Sequence, residues 1–98
     1  INDGGRALPA AIRPYAARVP GEPLSTRFDL STCEFQFTFR LNPAVAAPLE
    51  VFLPRYHYPN GAAIQVTRGR VQVDLPNQRL EYWPDAAETI HTLTLRAA

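Results

Sequence analysis

The sequence has no methionine and no lysine, one cysteine and one tryptophan, and no apolar run that approaches the roughly 18 residues of a membrane span. Without methionine the chain as given has no initiator, so it is expected to be a processed or excised piece of a longer protein. One cysteine excludes an internal disulfide framework and a multi-thiolate zinc site. All ten basic residues are arginine, set against nine acids, and the net charge of +1 is too close to zero for the electrostatic footprint that nucleic-acid or anionic-membrane binding requires. The amino terminus shows no basic-then-apolar leader, and no transmembrane segment is expected. What is there is 98 residues with 46% apolar content, enough for one small globular domain and too few for two.

Ten prolines, at 9, 14, 20, 23, 43, 48, 54, 59, 76 and 84, cut the chain into short pieces. A proline removes a backbone donor and biases its predecessor toward extended geometry, which suits short strands joined by turns and not long helices. Period-two alternation fills the pieces. The clearest case sets Cys33, Phe35, Phe37, Phe39 and Leu41 on one face and Glu34, Gln36, Thr38 and Arg40 on the other, a half-buried antiparallel strand central to the core. Strands are also expected through Leu24, Thr26, Phe28 and Leu30; Leu49, Val51 and Leu53; Ile64 and Val66; Val71, Val73 and Leu75; Leu80 and Tyr82; and His91, Leu93 and Leu95. Asn60-Gly61 tolerates positive φ, Arg68-Gly69 is expected to close a tight hairpin between residues 64–67 and 70–75, and Pro76-Asn77 begins another reversal. The pattern predicts an all-β fold, an antiparallel β-sandwich of about seven or eight short strands over residues 21–98. Residues 1–20, with Gly4-Gly5, five alanines and three prolines, read as a Pro/Ala-rich connector with a short helical turn near residues 8–12.

Candidate chemistry is sparse. Ser25 and Ser31 lack the glycine-flanked elbow of a nucleophile, and Asp29, Ser31 and Thr32 most simply make a turn. A glycosidase pair needs two carboxyls about 5–10 Å apart in a cleft, whereas Glu34, Glu50, Glu81 and Glu88 fall on solvent faces or in turns. His57 and His91 are the only histidines, and Cys33 points toward the core, so no metal and no cofactor are expected. Gly4-Gly5 has no strand before it and no Lys-Ser/Thr after it, so it is not a phosphate loop. The aromatic residues carry more. Tyr56 and Tyr58 flank His57, and Tyr82-Trp83 ends a strand just before Pro84. Tyr58, Tyr82 and Trp83 exposed on one sheet face would make a sugar-stacking platform; buried, they fill the core or a seam against a neighbouring domain.

Three stretches in order then resemble a known family: Arg13-Pro14-Tyr15, then Phe35-Gln36-Phe37-Thr38-Phe39, then Glu50-Val51-Phe52-Leu53-Pro54-Arg55-Tyr56-His57-Tyr58-Pro59. Together with the turn around Arg68-Gly69-Arg70 and the segments at 79–83 and 91–95, they are similar to the C-terminal domain of family-five glycoside hydrolases of the endoglycoceramidase type, over residues 13 to 96 or so. The resemblance implies a β-sandwich that follows a (β/α)₈ catalytic barrel in enzymes acting on glycosphingolipids or related glycolipids. The catalytic glutamates of that family belong to the barrel, and no position here matches them. The chain is therefore expected to be a non-catalytic accessory domain of a glycoside hydrolase, with the barrel of the same parent protein as its partner. Its role would be to pack on and stabilise that barrel and to shape the rim where the lipid substrate docks. The alternative is an autonomous carbohydrate- or glycolipid-binding module. The residues assigned to docking are Arg13, Tyr15, Arg55, Tyr56 and His57, the arginines pairing with barrel carboxylates and the rings excluding water. One unpaired cysteine suits both the cytoplasm and a secreted enzyme, and a secreted or cell-associated bacterial protein is the favoured setting.

Overall fold

The structure, a computed structural model, describes residues 13–45 and 47–97. Among them are eight strands and no helix: β1 (Tyr15–Arg18), β2 (Gly21–Asp29), β3 (Glu34–Leu41), β4 (Leu49–Phe52), β5 (Ala62–Val66), β6 (Gly69–Asp74), β7 (Arg79–Pro84) and β8 (Ile90–Ala97). They form two four-stranded antiparallel sheets, sheet I in the order β1-β4-β7-β6 and sheet II in the order β2-β3-β8-β5. The expected β-sandwich is the observed fold.

Alternation explains the packing. On β3, Phe35, Phe37 and Phe39 point inward and are buried, the first two rings 6.5 Å apart and the second two 5.9 Å apart, both pairs stacked. Register then fixes their neighbours: Phe35 pairs with Leu95, Phe37 with Leu93 and Phe39 with His91 on β8. From sheet I come Leu49 and Val51 of β4 with Leu80 and Tyr82 of β7, all fully buried. Each such side chain contributes about 1.5–3 kcal/mol by leaving water, so the core rests on the two central strands of each sheet.

The structure departs from the sequence expectation at several places. Tyr15–Arg18, inside the stretch read as a connector, is β1, paired with β4 at one edge of sheet I. The helical turn expected near residues 8–12 lies outside the described residues. Arg68-Gly69 does not close a hairpin: β5 pairs with β8 in sheet II, β6 pairs with β7 in sheet I, and the two residues carry the chain from one sheet to the other. Gly69 (φ 138°) makes that step possible, because a methyl group there would meet the Trp83 carbonyl oxygen. Cys33, expected on the inward face of a strand, instead sits in the β2–β3 turn at φ 58°, half-buried against the core.

Candidate functional site

One end of the sandwich is built by three turns: residues 30–33 between β2 and β3, 53–59 after β4, and 75–78 between β6 and β7. The prolines at 54 and 59 bracket the middle one. The Pro54 carbonyl accepts N–H bonds from His57 (3.2 Å) and Tyr58 (3.1 Å), and the Tyr58 carbonyl accepts from Gly61 (3.0 Å), a compact turn that drives His57 and Tyr58 inward and leaves Arg55 and Tyr56 outside. The buried Tyr58 hydroxyl donates to the Cys33 carbonyl at 2.7 Å and ties this turn to the β2–β3 turn. Burial pushes the Tyr58 and Tyr82 hydroxyls above the usual phenol range. The His57 ring packs against Phe28 (5.2 Å) and Tyr56 (5.0 Å, edge-on), with Nδ1 3.7 Å from Cys33 Sγ.

The third turn is tied in the same way. Leu53 donates its N–H to the Gln78 carbonyl (2.8 Å), Arg55 donates its N–H to Gln78 Oε1 (2.9 Å), and the Arg55 guanidinium donates to the Pro76 carbonyl (3.2 Å). Cys33 and Gln78 (φ 53°) are the non-glycine residues with positive φ among those described, and both lie at this end. A left-handed non-glycine residue costs on the order of 1 kcal/mol, and here each one presents its carbonyl to the 53–59 turn. Local strain is thus offset by bonds that hold the three turns in one arrangement.

That fixed surface is aromatic and aliphatic. Tyr15 (53% exposed), Tyr56 (55%), Leu30 (46%) and Leu75 (40%) stand in solvent, with Tyr15 leaning on Phe52 at 5.3 Å. Its acids are occupied by their own turns. Asp29 accepts the Ser31 hydroxyl (2.7 Å) and N–H (3.0 Å), and these bonds hold its carboxyl below the usual carboxylate range, while Asp74 accepts the Asn77 amide at 2.8 Å. Arg13 and Arg55 are exposed. The arrangement offers apolar contact and guanidinium donors. Among the described residues no three of His, Cys, Asp and Glu converge as a metal site would require.

Of the residues assigned to docking, Tyr15, Arg55 and Tyr56 reach this surface, and Arg13 is exposed at the start of the chain leading into β1. His57 is buried beneath Tyr56 and supports the surface without lying on it. The three rings of the alternative platform do not share an open face. Tyr58 and Tyr82 are in the core, and the Tyr82 hydroxyl donates to the Arg68 carbonyl (2.5 Å) and lies 2.9 Å from His91 Nδ1. Trp83 alone points outward from sheet I, with the Arg70 guanidinium 4.5 Å over its ring. Leu30 and Leu75 were read as strand residues and not as part of a site. The available signal was their position directly before turn residues Ser31 and Pro76, where alternation no longer buries an apolar side chain.

A profile of the glycoside hydrolase family 5 C-terminal domain matches residues 13–95, and the chain belongs to that family. Glucosylceramidase of Rhizopus delemar is 43% identical over 60 residues, which are 61% of this chain and 9% of that protein. Endoglycoceramidase I of Rhodococcus hoagii is 35% identical over 71 residues, 72% of this chain and 14% of that protein. The chain therefore spans a small fraction of the length of the relatives it matches. The crystal structure of sterylglucosidase 1 of Cryptococcus neoformans superposes on it with a TM-score of 0.80 at 26% identity, covering 94% of this chain and 14% of that one.

Proposed function

We propose that the chain is the non-catalytic accessory domain of a glycoside hydrolase acting on glycosphingolipids or related glycolipids, and that it packs on the catalytic barrel of its parent protein through the end formed by the 30–33, 53–59 and 75–78 turns. The observation that carries this reading is the exposure of Leu30, Tyr56 and Leu75 on turns bonded to one another, with exposed Tyr15 of β1 beside the 75–78 turn. A surface fixed before contact loses little conformational freedom on docking, so rings and aliphatic groups there convert burial into affinity efficiently. The sandwich begins with β1 on this reading, and the residues before it connect to the barrel. The small share of each relative that the chain covers supports the presence of a catalytic domain elsewhere in the parent. The free-standing sugar platform is not favoured, because two of its three rings are in the core.

The test uses the full-length protein that carries this chain. Tyr15→Ser combined with Tyr56→Ser is expected to weaken the domain contact by about 2–4 kcal/mol, the range of interface anchors, and to lower the melting temperature of the barrel and its retention of activity on heating. The same pair of changes in the 98-residue chain, where both rings are already in solvent, should leave its own melting nearly unchanged. A barrel indifferent to the double change, or glycolipid turnover by the 98-residue chain alone, would sink the proposal.

A further inference from the structure

At the end of the strands away from the 53–59 turn, a buried histidine joins two connections. His91 of β8 has no exposed surface, and neither has Tyr82 of β7 beside it. The imidazole lies along the Phe39 ring of β3 at 5.7 Å and meets the Tyr82 ring edge-on at 6.0 Å. Its Nε2 is 2.9 Å from the Glu88 carbonyl oxygen in the β7–β8 connection, and its Nδ1 is 2.9 Å from the Tyr82 hydroxyl. That hydroxyl is in turn 2.5 Å from the Arg68 carbonyl oxygen, in the connection that carries the chain from sheet II to sheet I.

The donors and acceptors along this chain fix what the ring must carry. A carbonyl oxygen only accepts, so Nε2 holds a hydrogen. Two oxygens 2.5 Å apart need a hydrogen between them, and the Arg68 carbonyl has none, so the single hydroxyl proton of Tyr82 points there. Nδ1 then faces a hydroxyl lone pair. A neutral imidazole would set its own lone pair against it, in a place closed to bulk solvent. The Arg68 N–H, 3.4 Å from the hydroxyl, is too distant to take that lone pair instead. Imidazolium satisfies every contact: Nε2–H donates to Glu88, Nδ1–H to Tyr82, and the hydroxyl to Arg68. The charges around it favour a cation. Exposed Asp85 and Glu88 stand on the β7–β8 connection against exposed Arg68 on the other, β3 presents the Phe39 ring, and burial with help from Asp85 keeps the Tyr82 phenol neutral. We infer that His91 is a proton-operated latch: with a hydrogen on both ring nitrogens it ties the 67–68 crossing to the 85–89 connection, and loss of the Nδ1 hydrogen makes Tyr82 choose between His91 and Arg68 and loosens the crossing. The latch closes on the acid side of the range in which imidazole changes charge. It uses none of the residues assigned to barrel docking, so it stands or falls apart from that proposal.

The ring-nitrogen resonances of the unaltered, isotope-labelled 98-residue chain read the latch directly, and those of His57 are followed separately in the same spectra. In the folded chain at about pH 5, His91 is expected to carry hydrogen on both nitrogens, and by about pH 8 to keep it on Nε2 and lose it from Nδ1. Over the same interval the melting temperature is expected to fall by about 4–8 °C, because the folded chain binds a proton that the unfolded chain releases more readily. Tyr82→Phe keeps a ring in the core and removes the Nδ1 partner, so it is expected to leave His91 with hydrogen on Nε2 alone throughout and to take away most of that fall. Three results would overturn the inference: a single ring hydrogen on His91 at every pH, two ring hydrogens for as long as the chain stays folded, which would make it a fixed cation, or equal pH dependence of melting with and without the Tyr82 hydroxyl. If Tyr82→Phe fails to fold, the spectra of the unaltered chain still decide.

Discussion

Tyr58 joins two turns through one proton. Its hydroxyl supplies the bond to the Cys33 carbonyl, and that carbonyl belongs to a residue held at positive φ. Tyr58→Phe keeps the ring in the core and removes only the bond, so it is expected to cost about 1–2 kcal/mol in denaturant unfolding at neutral pH. A drop much larger than that would mean the ring had moved. Alkaline titration tests the same residue differently. Burial raises the phenol above its ordinary value of 10.0, so the unfolded chain releases this proton at lower pH than the folded one. The contribution is complete below about pH 10 and declines as pH climbs from there toward the folded value. Melting temperature is therefore expected to fall above about pH 10, with absorbance at 295 nm rising for Tyr58 and Tyr82 only as the fold is lost, and Tyr58→Phe should flatten part of that fall. At this scale the sequence was informative about type and less so about direction: the period-two spacing of Tyr56 and Tyr58 did not say which ring turned inward, because the Pro54 carbonyl replaces strand geometry with a turn.

Strands differ in how far their own residues determine them. β3 was legible because three phenylalanines alternate with polar residues over its length, a local pattern that needs no partner to be recognised. β1 was not, since Ala16 and Ala17 carry no alternation and its pairing with Val51 and Phe52 depends on residues far along the chain. The β5–β6 connection misled for a related reason. Two residues between alternating segments suit a hairpin, yet the Tyr82 hydroxyl bonds the Arg68 carbonyl and the Asp85 N–H also donates to it at 3.1 Å, drawing the chain across to sheet I. Gly69 is the pivot. Gly69→Ala combines an unfavourable φ with a clash against the Trp83 backbone and is expected to cost about 2–3 kcal/mol or more in chemical denaturation. A neutral result would show that the crossover relaxes around a methyl group, contrary to the close approach described.

Among the described residues, exposed apolar side chains gather at the end built by the 30–33, 53–59 and 75–78 turns, and the outer face of sheet II carries polar pairs. On the outer face of sheet II, Arg96 pairs with Glu34 (3.0 Å) and the Thr38 and Thr92 hydroxyls bond at 3.0 Å, the behaviour of a surface that faces water. The fold class and the central strands could be read from alternation, and the three motif stretches pointed to the family. The surfaces could not be read so directly, because Leu30 and Leu75 continue the alternation of their strands and meet at one end only through turns distant in sequence. Sheet II also places its last strand inside, with β8 seated between β3 and β5. During synthesis the three phenylalanines of β3 leave the ribosome well before Leu93 and Leu95 exist to cover them, so the nascent domain must wait for its final strand before it can close, and a chaperone that shields aromatic segments would find its task between those two moments.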